Sequence, residues 1–261
     1  MSDKIYARPF ALSIAGFDPS AGAGILADIK TFEAMRVYGL GVCTAITYQN
    51  ESVFEGLSWI SFEEMKRQAD VLLNKYDFRY VKIGLIQNLD MLHDLVLYLR
   101  SKRSGLFITW DPILKASSGF DFHAKPDAEK LERVCRQIDL ITPNLPEAFL
   151  LGATESAELN AKALSSFCNV FLKGGHHPEK AGDDFLFLKD GKKVSFKSAG
   201  NKIFPKHGSG CILSSSITAR LAKGADLEKA CLLAKEYTLE VLESNESLLG
   251  YHNPESTQQH G

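Results

Sequence analysis

Long apolar runs are missing from this chain of 261 residues, so the sequence offers no span of the roughly 18 residues that a membrane helix requires. Charge of either sign is not in surplus. Thirty Lys and Arg stand against 32 Asp and Glu, a formal net charge of −2, so the footprint for non-specific nucleic-acid binding is absent. Cysteine pairs are missing too. The five cysteines, at positions 43, 135, 168, 211 and 231, are odd in number, widely spaced and without a Cys-x-x-Cys. Neither a disulfide framework nor a structural zinc site is expected, and a reducing cytoplasmic setting is. Met1 to Phe10 carries charges and no apolar signal core, which argues against export. What is present, 45% apolar and 24% charged residues, is ordinary for a globular protein, and the length can bury a sizeable core in one large α/β domain or two small ones.

Apolar stretches alternate with helical patterns along almost the whole chain. Phe10–Ala15, Gly39–Thr47, Val53–Ile60, Tyr80–Leu85, Leu106–Trp110, Ile138–Thr142 and Val170–Lys173 read as strands. Between them, Ile25–Met35, Phe62–Lys75, Asn88–Arg103, Pro126–Cys135, Leu145–Leu151 and Ser156–Phe167 read as helices. A hairpin, Phe185–Leu188 and Lys193–Lys197 joined at Asp190-Gly191, precedes two closing helices, Cys211–Lys223 and Leu227–Ser247. This order predicts an α/β fold with a mostly parallel central sheet and helices on both faces. No linker or internal repeat divides it. Residues 1–251 are read as one domain and 252–261 as a polar, disordered tail.

In such a sheet, ligands gather at the carboxyl ends of the strands. There stand Gly16-Phe17-Asp18, Tyr48-Gln49-Asn50, Asp111-Pro112, Pro143-Asn144-Leu145-Pro146-Glu147 and Lys173-Gly174-Gly175, with His207-Gly208-Ser209-Gly210-Cys211 in a later loop. So many polar residues and glycines at strand ends point to a phosphate-handling small-molecule enzyme. A G-x-x-x-x-G-K-[ST] phosphate loop is absent. Gly22-Ala23-Gly24-Ile25-Leu26-Ala27 matches the dinucleotide pattern G-x-G-x-x-A. However, Asp18 to Ala21 separate it from the strand, and the second strand ends in Gln49 rather than an acid, so a packing turn is the better reading. Gly208-Ser209-Gly210, opening an apolar helix, is the better phosphate nest. Its N–H groups can turn inward, and the helix start adds roughly half a positive charge. A plain Gly/Ser helix entry is the alternative.

Cys211 lies in the first turn of that helix, where a thiol pKa falls; it could accept a proton from an attacking hydroxyl, or only pack. The other four cysteines read as packing residues. Asn144 and Glu147 have the spacing of a capping box. With Asp111 they would also offer oxygens for Mg²⁺ on a nucleotide. Lys173 could reach phosphate oxygens as a point charge or snorkel as a surface lysine.

Taken together, these blocks resemble a known family. Residues 15–32, Ala15 to Phe32, are similar to the opening signature of the hydroxymethylpyrimidine/phosphomethylpyrimidine kinases, the thiamine-biosynthesis branch of the ribokinase superfamily. The likeness continues through Tyr38-Gly39, Thr44-Ala45, Gln49-Asn50, Lys82-Ile83-Gly84, Asp111-Pro112, Ile141–Glu147, Lys173–His176 and His207–Cys211. The resemblance implies a three-layer ribokinase-like fold and an enzyme dependent on ATP and Mg²⁺. It would phosphorylate 4-amino-5-hydroxymethyl-2-methylpyrimidine and then its monophosphate. It implies Ala23, Asp28 and Gln49 on the pyrimidine, Gly208, Ser209 and Gly210 as anion hole, and Cys211 as base. Asp111 and Glu147 fall at the metal positions, Asn144 and Lys173 at the nucleotide. A homodimer is expected on the same ground.

The chain departs from the family at Ser209, where threonine is common, and in Phe204-Pro205-Lys206 before His207. A lysine stands at Lys115, whereas the family's falls at the position of Ser117. Two other readings are carried. Vitamin B6 kinases share the signature, but Gln49 favours a pyrimidine because related B6 kinases can carry an apolar residue there. A pyrimidine-binding protein without catalysis would not need Cys211, Asp111 and Glu147 together.

Overall fold

Period-two alternation sorts the strand side chains onto the two faces of one sheet. The computed structural model describes residues 8–114, 126–175, 182–197 and 203–253. Its strands are β1 (Phe10–Phe17), β2 (Tyr38–Gln49), β3 (Phe54–Trp59), β4 (Tyr80–Ile83), β5 (Phe107–Trp110), β6 (Leu140–Ile141), β7 (Asn169–Leu172), β8 (Asp184–Phe187) and β9 (Lys193–Phe196). Its helices are α1 (Gly24–Ala34), α2 (Phe62–Leu73), α3 (Leu89–Lys102), α4 (Ala128–Cys135), α5 (Leu145–Leu151), α6 (Ala157–Leu164), α7 (Ser209–Ala222) and α8 (Leu227–Glu243). The sheet order is β3-β2-β1-β4-β5-β6-β7-β8-β9. The centre, β2 to β7, is parallel, while β3 and the β8–β9 hairpin extend the edges antiparallel.

Leu12, Ile14, Val81, Ile83, Ile108 and Trp110 join Met65, Leu92, Leu131 and Ala148 beneath α2 to α6. Ala11, Leu140 and Phe171 point the other way, into clusters with residues of α1, α7 and α8. This is the three-layer α/β arrangement. Between those apolar positions, Ser13, Lys82 and Thr109 lie in register on β1, β4 and β5 and are fully buried. They form a polar row on the face that α7 covers, and α7 answers it with three buried serines, Ser214, Ser215 and Ser216.

Helix starts follow their capping residues. Ser61, Asn88, Asp127, Ser156 and Asp226 each accept a hydrogen bond from an N–H of the first turn. Most boundaries shift by one to three residues, and two of the differences have a visible cause or consequence. β6 pairs only over Leu140–Ile141. The last helix ends at Glu243 rather than Ser247, because Asn245 takes the Ser247 N–H and hydroxyl into a local turn. His252, counted with the polar tail, shares a hydrogen bond of 3.1 Å between its Nδ1 and the Tyr237 hydroxyl; 254–261 lie outside the described residues, as do Lys115, Ser117 and His176. No helix among the described residues is long and apolar enough to cross a membrane.

Candidate active site

The loop after β1 and the loop before α7 meet at the carboxyl ends of the parallel strands. Asp18 organises the first, its carboxylate accepting from the Ser20 N–H (2.9 Å), the Ser20 hydroxyl (2.9 Å) and the Ala23 N–H (2.8 Å). Gly208 starts α7 from the left-handed region, at φ +76, and rests on that loop. A Cβ there would lie 2.1 Å from the Gly22 carbonyl oxygen. The two loops wall a cavity of about 930 Å³, ample for a nucleotide beside a small acceptor. Thr47, Gln49, Asp111, Asn144, Glu147 and Lys173 form its other sides.

Lys173 is a buried cation of its wall. Its Nζ lies 2.8 Å from Asp111 Oδ1 and 3.7 Å from Glu147 Oε2. A Cβ on Gly210 would stand 3.2 Å from that nitrogen, so the ammonium reaches the glycine turn. Asp111 also accepts from the Thr142 and Ser214 hydroxyls, each at 3.1 Å. Burial pushes the Asp111 carboxyl up, but Lys173, Lys82 and these hydrogen bonds outweigh it and hold it below the usual range. Glu147 goes the other way. Burial, with Asp111 repelling it, overcomes Lys173 and lifts its carboxyl to about 7. The capping box is real: Asn144 Oδ1 accepts from Glu147 N (2.8 Å) and Glu147 Oε2 from Asn144 N (2.7 Å). Among the described residues, Asn144 Nδ2 and Glu147 Oε1 have no hydrogen-bond partner and are the atoms left to a ligand.

The family model described as phosphomethylpyrimidine kinase matches residues 18–256. The chain belongs to the phosphomethylpyrimidine kinase family. It is 34% identical to a hydroxymethylpyrimidine/phosphomethylpyrimidine kinase of Aquifex aeolicus (strain VF5), over 91% of this chain and 96% of that protein. Its backbone is similar to a phosphomethylpyrimidine kinase from Clostridium difficile 630, with TM-score 0.74, 29% identity, and coverage of 89% of this chain and 99% of that one. It is similar as well to a Bacillus subtilis pyridoxal kinase in complex with ADP, with TM-score 0.77, 27% identity, and coverage of 92% and 93%. The fold is ribokinase-like and the protein is a kinase.

For a member of this family the donor set suits Mg²⁺. No group of three His, Cys, Asp or Glu side chains converges among the described residues, and Mg²⁺ needs only one or two carboxylates beside phosphate oxygens and water. Asp111 and Glu147 are that pair, and a divalent cation would offset the burial and the repulsion that lift Glu147. When bound, the ion would neutralise charge on the transferring phosphates.

Ala23, Gln49, Asp111, Asn144, Glu147, Lys173 and the run Gly208 to Cys211 all line the cavity, and Asp28 does not. Asp28 is fully buried, its oxygens taken by Lys82 Nζ (2.9 and 3.0 Å) and by the Ser13 and Ser215 hydroxyls (2.5 Å each). The expectation that it holds the pyrimidine is therefore corrected: its lone pairs are spent inside the protein. At Cys211 the surroundings disfavour the expected thiolate. Burial, with Asp111 and Asp28 nearby, raises the thiol to about 11 against the pull of Lys82. At neutral pH only about one part in 10⁴ is ionised. Cys211 lines the cavity, and its burial beside two carboxylates works against a base there. Cys211→Ala is expected to lower kcat by about 10-fold or less, against the ~10²–10⁴-fold loss that removing a general base would cause. Single-turnover rates for the alanine and serine variants decide this, and a loss beyond 10²-fold in both would restore the base.

The sequence reading missed Ser214 and Thr142, which orient Asp111, and Asp184. Asp184 takes the Gly174 N–H at 2.7 Å and Lys235 Nζ at 2.9 Å, and so fixes the turn after Lys173. The triplet Ser214-Ser215-Ser216 on an otherwise apolar helix was the available signal.

Proposed function

We propose that the protein transfers a phosphoryl group from ATP to the hydroxymethyl group of 4-amino-5-hydroxymethyl-2-methylpyrimidine, and a second to the monophosphate, for thiamine biosynthesis. The observation that carries this is one cavity holding both halves of the reaction. All of the residues proposed for the two substrates line it: Gln49 and Ala23 for the acceptor, Lys173, Asp111 and the Gly208–Gly210 turn for the phosphates. The Gln49 amide offers a donor and an acceptor, the pair that an aminopyrimidine edge presents in reverse. Backbone N–H groups and Lys173 stabilise the phosphoryl group in transit. Because the transition state is loose, the hydroxyl proton leaves late, and a strong base at Cys211 is not required.

Vitamin B6 phosphorylation is the second reading, supported by the likeness to the pyridoxal kinase. ADP release across hydroxymethylpyrimidine, its monophosphate, pyridoxine and pyridoxal separates the two. Both pyrimidines are expected to show kcat/KM at least ~10²-fold above the B6 compounds, since a site built to hydrogen-bond its substrate rejects analogues that leave it unpaired. The reverse order would overturn the proposal.

Residues 1–251 are proposed to act as one catalytic unit, since a single sheet runs from edge to edge. Five unpaired thiols suit the cytoplasm. Exposed Phe17, Ile46, Tyr48 and Val53 cluster about β2 and suit a homodimer contact. Sedimentation as a 28.8 kDa species would remove the dimer.

A further inference from the structure

We propose that His207 is a positioning residue, locking the acceptor loop to the phosphate loop so that hydroxymethyl group and phosphoryl group meet in line. The proposal rests on the kinase reading above. Its first support is a shared atom. His207 Nε2 lies 2.9 Å from Asp18 Oδ2, and the same oxygen accepts from the Ala23 N–H at 2.8 Å. One carboxylate oxygen therefore joins the residue that precedes the phosphate nest to the backbone beside the proposed pyrimidine contact, across 189 positions of sequence.

The second support is contact. The imidazole lies on Gly22, where a Cβ would come 2.6 Å from the ring carbon Cδ2, and Gly208 rests on the carbonyl of the same glycine. The His207 N–H donates to the Leu248 carbonyl at 2.9 Å, so the histidine backbone is fixed as well. A change of distance between the loops must pass through this side chain.

The third support is an orphan. Burial pushes the Asp18 carboxyl up, but His207, Ala23 and Ser20 outweigh it and hold it below the usual range, so the carboxylate is ionised and Nε2 must carry the proton. Nδ1 is buried and has no hydrogen-bond partner among the described residues. A buried orphan weakens a fold rather than strengthening it. Stability alone would be served as well by an apolar side chain. What imidazole adds is the directed bond to Asp18.

Three variants test this in the full chain. His207→Leu fills the space without the bond, and His207→Gln places an amide N–H close to the position of Nε2. With ATP and hydroxymethylpyrimidine, the leucine variant is expected to lose about 10–100-fold in kcat. KM for both substrates should stay within about threefold, as when alignment rather than binding is lost. Glutamine should recover most of kcat. In parallel, hydrogen exchange at the amides of residues 18–24 should quicken in the leucine variant and return toward wild type with glutamine. Should the leucine variant fail to fold, His207→Asn, too short to reach Asp18, takes its place. Unchanged kcat, a glutamine variant as slow as leucine, or unchanged exchange at 18–24 would each overturn the proposal. A wild-type enzyme inactive on both pyrimidines would overturn the kinase reading instead, and the exchange comparison would still decide the clamp.

Discussion

Gly208→Ala is expected to lower kcat/KM by about 10²–10³-fold, because the reacting groups lose alignment by an ångström or so. Two effects act at Gly208, and a second glycine separates them. The first is conformational: at φ +76 an L-residue is strained by about 1 kcal/mol. The second is steric. The added methyl would sit 2.1 Å from the Gly22 oxygen and 2.7 Å from Ala23 Cα, both backbone atoms that cannot swing aside as a side chain would. The loops must part, carrying Ala23 away from the nest. Gly224 has the same left-handed geometry, at φ +90, with nothing within 4 Å of an added Cβ. Gly224→Ala should therefore cost about 1 kcal/mol of stability and leave turnover intact. Steady-state kinetics and urea unfolding of both variants provide the check. Equal kinetic losses would show that backbone strain, and not the loop contact, is what matters.

Lys82→Met is expected to destabilise the protein by about 3–5 kcal/mol, as removing one partner of a buried ion pair does. Lys82 and Asp28 are each fully buried, and both carboxylate oxygens bond the ammonium. Burial lowers the pKa of the lysine, yet Asp28 and Asp111 outweigh it and keep the ammonium charged. Methionine would leave Asp28 with two hydroxyl partners and an unbalanced charge. The double variant Lys82→Met/Asp28→Leu should recover most of that loss, since replacing both charges with apolar groups of similar size is often neutral or stabilising. Urea midpoints for the two single variants and the double variant form the cycle. If the double variant unfolds as readily as Lys82→Met, the pair is not the source of the loss.

Much of the fold was legible because strand and helix leave different periods in the sequence. Leu12 and Ile14 flank Ser13, and Val81 and Ile83 flank Lys82, as a strand between two layers requires. The site was legible as a set of strand ends, since topology alone puts Gln49, Asp111, Asn144 and Lys173 on one edge. What escaped was pairing across distance. Asp28 is 54 residues from Lys82 and 187 from Ser215, and nothing in the residues around it reveals either partner. A carboxylate on a helix beside a binding loop looks available until its partners are seen. The acidity of Cys211 escaped for a related reason. A helix start favours a thiolate, but burial beside two carboxylates disfavours it more, and burial is a property of the assembled core.

The polar row beneath α7 acts like the key in a keyway. Apolar surfaces let a helix slip or roll slightly at small cost, because their attraction is not directional. Here Ser214 is bonded to Asp111 at the end of β5, and the next residue, Ser215, to Asp28 on α1. Hydrogen bonds to ionised groups are short and directional, so a roll of α7 that improves one spoils the other. The helix start, with the glycines that line the cavity, takes its coordinates from inside the protein rather than from its own loop. Alignment of the two substrates is then left to the acceptor side, the loop that Asp18 holds.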